Sequence, residues 1–254
     1  MHGGGNGSET FTYTLTDADG DTSTANLVLQ VHNNDDPVTI TGLDTEGGEL
    51  SLQEKNLSDG SSPDASALTQ SGTFTVTALD GVQTLSVGGI NVVTNGVAAG
   101  FPQSITTALG NTLTITGFNA ATGVVSYSYT LLDNEAHPNA NGANSVSEQF
   151  AVVATDDNGT TANGNLDVNI VDDVPKAVDD SNGTASETNL TLTGSVLTND
   201  TQGADPVASA PITPGTFTGT YGTLVLNADG SYTCLLYTSP SPRDLSTSRM
   251  PSSA

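Results

Sequence analysis

Basic residues are almost missing from this chain: four Lys and Arg stand against 28 Asp and Glu in 254 residues, for a formal charge of −24. Two of the four, Arg243 and Arg249, lie near the C-terminus, leaving Lys55 and Lys176 for the body. Nucleic acids and anionic membrane surfaces are bound through clustered cations that displace counterions, so both are excluded as partners. Tryptophan is absent and aromatics make up 5% of the chain, which argues against a cleft that stacks sugars for paired-carboxylate hydrolysis. A single cysteine, Cys234, leaves no intrachain disulfide, and bound metal is the natural substitute cross-link in a secreted β-protein. No apolar run of about 18 residues is present, so no membrane insertion is expected. The opening Met1-His2-Gly3-Gly4-Gly5 lacks the charged and apolar regions of a signal peptide, so export would use a distant signal or the sequence is a fragment. Also missing are a Gly-x-Ser-x-Gly elbow, a His-Glu-x-x-His pair and a phosphate-cradling loop with Lys. His2, His32 and His137 are far apart, each expected on a surface or loop with no nucleophile nearby. A non-enzymatic protein is expected.

What is abundant is Gly, Thr, Asn, Asp and Val, the mixture of short pleated strands and tight turns. Alternation with period two marks strands at residues 73–78, 83–87, 111–116, 124–131, 149–155 and 165–171. Val125, Tyr127, Tyr129 and Leu131 make one apolar face, with Ser126, Ser128 and Thr130 opposite. Hairpin turns are signalled by Asp19-Gly20, Asp80-Gly81, Asn158-Gly159 and Asp229-Gly230. Many short strands of this kind predict antiparallel β-sandwiches and not a parallel α/β sheet.

Residues 11–37 (FTYTLTDADGDTSTANLVLQVHNNDDP) also lie along residues 150–175 (FAVVATDDNGTTANGNLDVNIVDDVP). Phe11, Thr16, Asp17, Gly20, Thr22, Asn26 and Leu27 fall on Phe150, Thr155, Asp156, Gly159, Thr161, Asn165 and Leu166, an offset of 139. That period fits whole domains in series, not solenoid rungs. It divides the chain into residues 1–36, the last hairpin of one repeat; 37–174, a complete repeat; and 175–233, the opening of another module. Residues 234–254 (CLLYTSPSPRDLSTSRMPSSA) change character, with Ser, Pro and Arg replacing Gly, Asn and Val. They resemble translated sequencing-adapter read-through, and are expected to be a disordered tail foreign to the fold.

Two sets of acids carry the candidate chemistry, because crowded carboxylates repel one another unless a cation lies between them. The first is Asp17, Asp19 and Asp21 around a Gly turn, with Asp156 and Asp157 as counterparts. Here oxygen ligands could wrap a calcium ion, although the terminal Glu of an EF-hand loop is missing. The second lies at the junctions between repeats: Asp35 and Asp36 leading to Asp44 and Glu54, and Asp172 and Asp173 leading to Asp179, Asp180 and Glu187. Solvated hairpin turns and acidic linkers are the alternatives.

Residues 125–173, with SYSYTLLDNEAHPNANGANS followed by FAVVATDDNGTTANGNLDVNIVDD, resemble the type I secretion target repeats of giant bacterial adhesins. Residues 54–61 and 72–76 resemble the start of that unit. VDDSNGTASETNLTLTGSVLTND and GTYGTLVLNADGSYT are similar to the opening of a VCBS or cadherin-like repeat. The resemblance implies tandem immunoglobulin-like or cadherin-like sandwiches, calcium clamped at the junctions, type I secretion to the cell surface or beyond, and a role in adhesion or biofilm. It implies neighbouring repeats of the same chain as partners, with matrix glycans or surface proteins as further contacts. One departure weakens the Asp turn in its second copy, where Thr160 replaces Asp21. A glycan- or protein-binding module, and an accessory domain of a carbohydrate-active enzyme, are the alternative readings.

Overall fold

The computed structural model describes residues 7–31, 36–43, 48–138, 142–181, 183–186 and 188–237. Among them the regular secondary structure is nearly all strand, and the short 3-10 turns Glu54–Asn56 and Ala65–Leu68 are its helical pieces. Two compact units are formed, residues 1–54 with 64–172, and residues 55–63 with 173–254.

The first unit is built on two sheets. One has five strands in the order β3 (Thr39–Thr41), β5 (Thr69–Thr77), β11 (Val124–Thr130), β10 (Thr112–Asn119) and β9 (Gln103–Thr106). The other has six, in the order β4 (Leu50–Gln53), β13 (Thr161–Val171), β12 (Ser145–Asp156), β6 (Val82–Val87), β7 (Ile90–Thr94) and β8 (Val97–Ala98). Alternation chooses which face of each strand is buried, because successive side chains point to opposite sides. Val125, Tyr127, Tyr129 and Leu131 are all buried, as their spacing requires, and Phe150, Val152, Ala154, Leu166, Val168 and Ile170 face them from the six-stranded sheet. The Tyr129 and Phe150 rings meet at 6.2 Å between centroids, tying the two sheets into one core. Each buried Val, Leu, Ile or Phe among them contributes about 1.5–3 kcal/mol. Gly72 pairs with Tyr127 across β5 and β11, and a Cβ there would overlap the tyrosine ring, so glycine makes the room that ring needs.

The expected antiparallel pairing holds with one exception among these strands. β4 runs parallel to β13, with Leu50 opposite Val168 and Leu52 opposite Ile170. The chain reaches β4 after β3, which belongs to the other sheet, so it joins the edge by crossing over and not through a hairpin.

The same unit includes a separate hairpin of β1 (Gly7–Thr16) and β2 (Thr22–Val31). Its register matches that of β12 and β13: Phe11 opposes Leu27 as Phe150 opposes Leu166, and Thr16 opposes Thr22 as Thr155 opposes Thr161. Their turns close alike, with Asp17 N on Asp21 O and Asp156 N on Thr160 O, both at 3.0 Å. Burial differs. Phe11, Tyr13, Leu15 and Leu27 are at least half exposed, whereas Phe150, Val152, Ala154 and Leu166 are buried.

The second unit is a four-stranded sheet in the order β14 (Thr191–Ser195), β17 (Ser231–Leu236), β16 (Gly222–Leu226) and β15 (Gly215–Thr218). Much of its apolar surface is open, Phe217, Val225 and Leu235 included. Gly194 faces Tyr232 across β14 and β17, repeating the glycine–tyrosine pairing of the first unit. β17 continues through Cys234 and Leu235 to Leu236, past the change in composition at residue 234. Of the tail, residues 238–254 lie outside the described residues.

Candidate metal sites

Several acids of the first unit gather at the two ends of the six-stranded sheet, where hairpin turns and strand ends bring polar groups together. One end holds the turn between β12 and β13. Asp156 is 1% exposed, and its Oδ1 accepts from the backbone N of Asn158 at 2.9 Å and of Thr160 at 2.8 Å. Its Oδ2 is buried and meets no donor among the described residues, and the same holds for the side-chain oxygens of Asn158 and Gln83. Gln83 donates from Nε2 to Asp157 Oδ1 at 3.0 Å. At the neighbouring turn, Asp80 Oδ2 accepts from Asp36 N at 3.1 Å. This end therefore gathers carboxylate and amide oxygens, the ligands that a hard divalent ion such as calcium takes. A buried carboxylate oxygen with neither donor nor cation carries a desolvation cost of about 1–3 kcal/mol or more.

The equivalent turn of β1 and β2 is exposed. Asp17 Oδ1 accepts from Asp21 N at 2.9 Å and Asp19 N at 3.3 Å. Asp17, Asp19 and Asp21 each place a carboxylate oxygen within 4.8 Å of the others'. A hydrogen bond with the Asp19 side chain, helped by the backbone N–H groups of the turn, holds the Asp17 carboxyl below its ordinary pKa. Thr160 stands where this turn has Asp21, and its backbone N–H still closes the copy.

At the opposite end of the six-stranded sheet, Glu54 and Asp172 come together although 118 residues separate them. They are joined by His137, and one ligand atom from each lies within 4.8 Å of the other two. Glu54 is fully buried; its Oε1 accepts from Glu135 N at 2.6 Å and lies 3.0 Å from His137 Nε2. The His137 side chain is 5% exposed, so the expectation of a surface or loop residue is right for its backbone and not for its ring. Glu135 is buried alongside, and its Oε1 accepts from Asn111 at 2.6 Å. Burial first, and then the charges of Glu148 and Glu54, push the Glu135 pKa up. Glu148 is buried as well, accepting from the Tyr129 hydroxyl at 2.5 Å and from Leu109 N at 3.0 Å.

The junction acids of the second unit have other surroundings. Asp173 takes four donors: Ser61 N at 2.7 Å, Ser61 Oγ at 2.5 Å, Val174 N at 2.9 Å and Ala204 N at 3.1 Å. Four donors fill the lone-pair positions of a carboxylate, so Asp173 as placed organises two loops. Asp179 and Asp180 are exposed. Asp35, Asp44 and Glu187 lie outside the described residues. Sequence reading does not mark His137 and Gln83 as ligands, since the first is a lone imidazole in a polar loop and the second an uncharged amide, and it gives Asp80 only as a hairpin turn.

Fold and sites together define an all-β protein with oxygen-rich, acid-lined ends to its six-stranded sheet. No protein-family model matches the chain, and comparison with curated proteins finds no match. No helix among the described residues is long and apolar enough to cross a membrane.

Proposed function

We propose that this chain is a calcium-stiffened structural segment of a large secreted bacterial adhesin, made of tandem immunoglobulin-like or cadherin-like sandwiches and serving cell adhesion or biofilm formation. The observation that carries the reading is Asp156. One of its oxygens fixes the hairpin turn while the other is buried without a donor among the described residues, beside a turn and strand that supply further oxygens. The hairpins of matching register 139 residues apart support the tandem arrangement. In this reading calcium is the cross-link that a chain without disulfides uses, and the partners are neighbouring repeats, matrix glycans or surface proteins. Self-repulsion among the acids keeps the chain loose where calcium is scarce, and ion uptake outside the cell stabilises it.

Extracellular calcium modules bind with affinities of about 0.1–1 mM. At about 10 mM calcium one such site adds about 1.4–2.7 kcal/mol, or roughly 3–10 °C in melting temperature for a unit of this size. Thermal melts with calcium and with chelator measure this, and identical melting in both would remove the mechanism.

A further inference from the structure

The cluster of Glu54, His137 and Asp172 has a chemistry that calcium does not explain. Calcium takes oxygen ligands, whereas imidazole suits zinc and its first-row neighbours. Here an imidazole is 95% buried by its side chain's 5% exposure, and it turns its Nε2 toward Glu54 Oε1. A ring desolvated to this degree for a plain surface role is costly. Charge balance points the same way: a protonated imidazole would offset only one of the two carboxylates that converge on it, and a divalent ion offsets both.

Geometry and support fit a small ion. In a tetrahedral zinc site with ligand distances near 2.0–2.1 Å, neighbouring ligand atoms lie about 3.3 Å apart. Glu54 Oε1 and His137 Nε2 stand at 3.0 Å, and the whole ligand set falls within 4.8 Å. The pieces are also held. Asn144 donates from Nδ2 to Pro138 O at 2.7 Å, fixing the residue next to His137, and its own carbonyl accepts from Asp172 N at 2.9 Å. Glu135 N steadies Glu54.

We infer that Glu54, His137 and Asp172 form a second metal site that takes zinc or a similar borderline divalent ion, clasping residues 131–138, which follow β11, to the end of β13. This proposal goes beyond the calcium reading and stands or falls separately from it. The test is titration calorimetry of the whole chain with Zn2+ and with Ca2+, together with Co2+ absorption, on wild type, His137→Gln, Asp172→Asn and Asp156→Asn. Expected is stoichiometric zinc uptake, visible cobalt bands from a nitrogen-containing site, and at least a tenfold loss of zinc affinity in H137Q and D172N, with D156N retaining it. Absence of zinc uptake by wild type overturns the proposal, as does an H137Q variant that binds zinc as tightly as wild type. Should H137Q fail to fold, zinc-edge anomalous scattering from wild-type crystals decides: a peak between the three side chains supports the site, and a peak elsewhere or none overturns it.

Discussion

Replacing Tyr129 by Phe removes one oxygen from a fully buried position and leaves Glu148 short of a donor. Glu148 is 7% exposed and Tyr129 has no exposure, so solvent does not take the lost place. The bond is 2.5 Å long and runs to a carboxylate, the charge-assisted kind for which about 2–3 kcal/mol is expected. Burial, and then the Glu148 carboxylate, raise the Tyr129 pKa well above the ordinary phenol value, so the hydroxyl remains a donor throughout the usual working range. For a unit of this size Y129F should lower the melting temperature by roughly 4–12 °C. Urea unfolding of Y129F, E148M and the double variant separates the bond from the packing. A coupling energy of about 1 kcal/mol or more is expected, because removing both partners spares the penalty of a buried carboxylate left unsatisfied. A Y129F loss below about 0.5 kcal/mol, or strict additivity, would refute the reasoning.

Glu135 has its pKa raised by burial in the folded state. The stability that its protonated form gives is therefore present below the unfolded carboxylate value and lost as pH rises through the raised folded one. Glu135→Gln, which keeps an acceptor for Asn111, should accordingly gain on wild type in urea melts as pH rises above the ordinary carboxylate value of about 4.3; an unchanged gap would contradict this. Asp173→Ala strips four donors of their acceptor and should cost the second unit about 2–3 kcal/mol. Hydrogen exchange should then quicken at the amides of Ser61 and Ala204, and unaltered protection would show that Asp173 does not organise those loops.

The core of the first unit was legible because a period of two is a local signal. Spacing alone puts Val125, Tyr127, Tyr129 and Leu131 on the buried face, and the strand there covers Val124–Thr130. Short strands were not legible. β4 offers only Leu50 and Leu52 as apolar markers and owes its place to parallel pairing with β13, more than a hundred residues later. β7 presents Val92 and Val93 both buried, beside a register shift in its pairing with β6, which blurs alternation. The candidate sites divide in the same way. Glu54 and Asp172 drew notice as charges near junctions, but that they converge, and that His137 joins them, depends on tertiary contacts that no spacing encodes. Asp156 was visible as half of an acidic pair. That its two oxygens have different surroundings follows from hydrogen bonds within the folded turn.

Calcium titration calorimetry of the whole chain against its Asp156→Asn variant tests the central claim most directly. The substitution keeps an oxygen for the backbone N–H groups of Asn158 and Thr160 and removes the charge. The account predicts uptake by wild type with a dissociation constant of about 0.1–1 mM and loss of that binding in D156N. Wild type without calcium uptake, or a D156N variant that binds as wild type does, would contradict it.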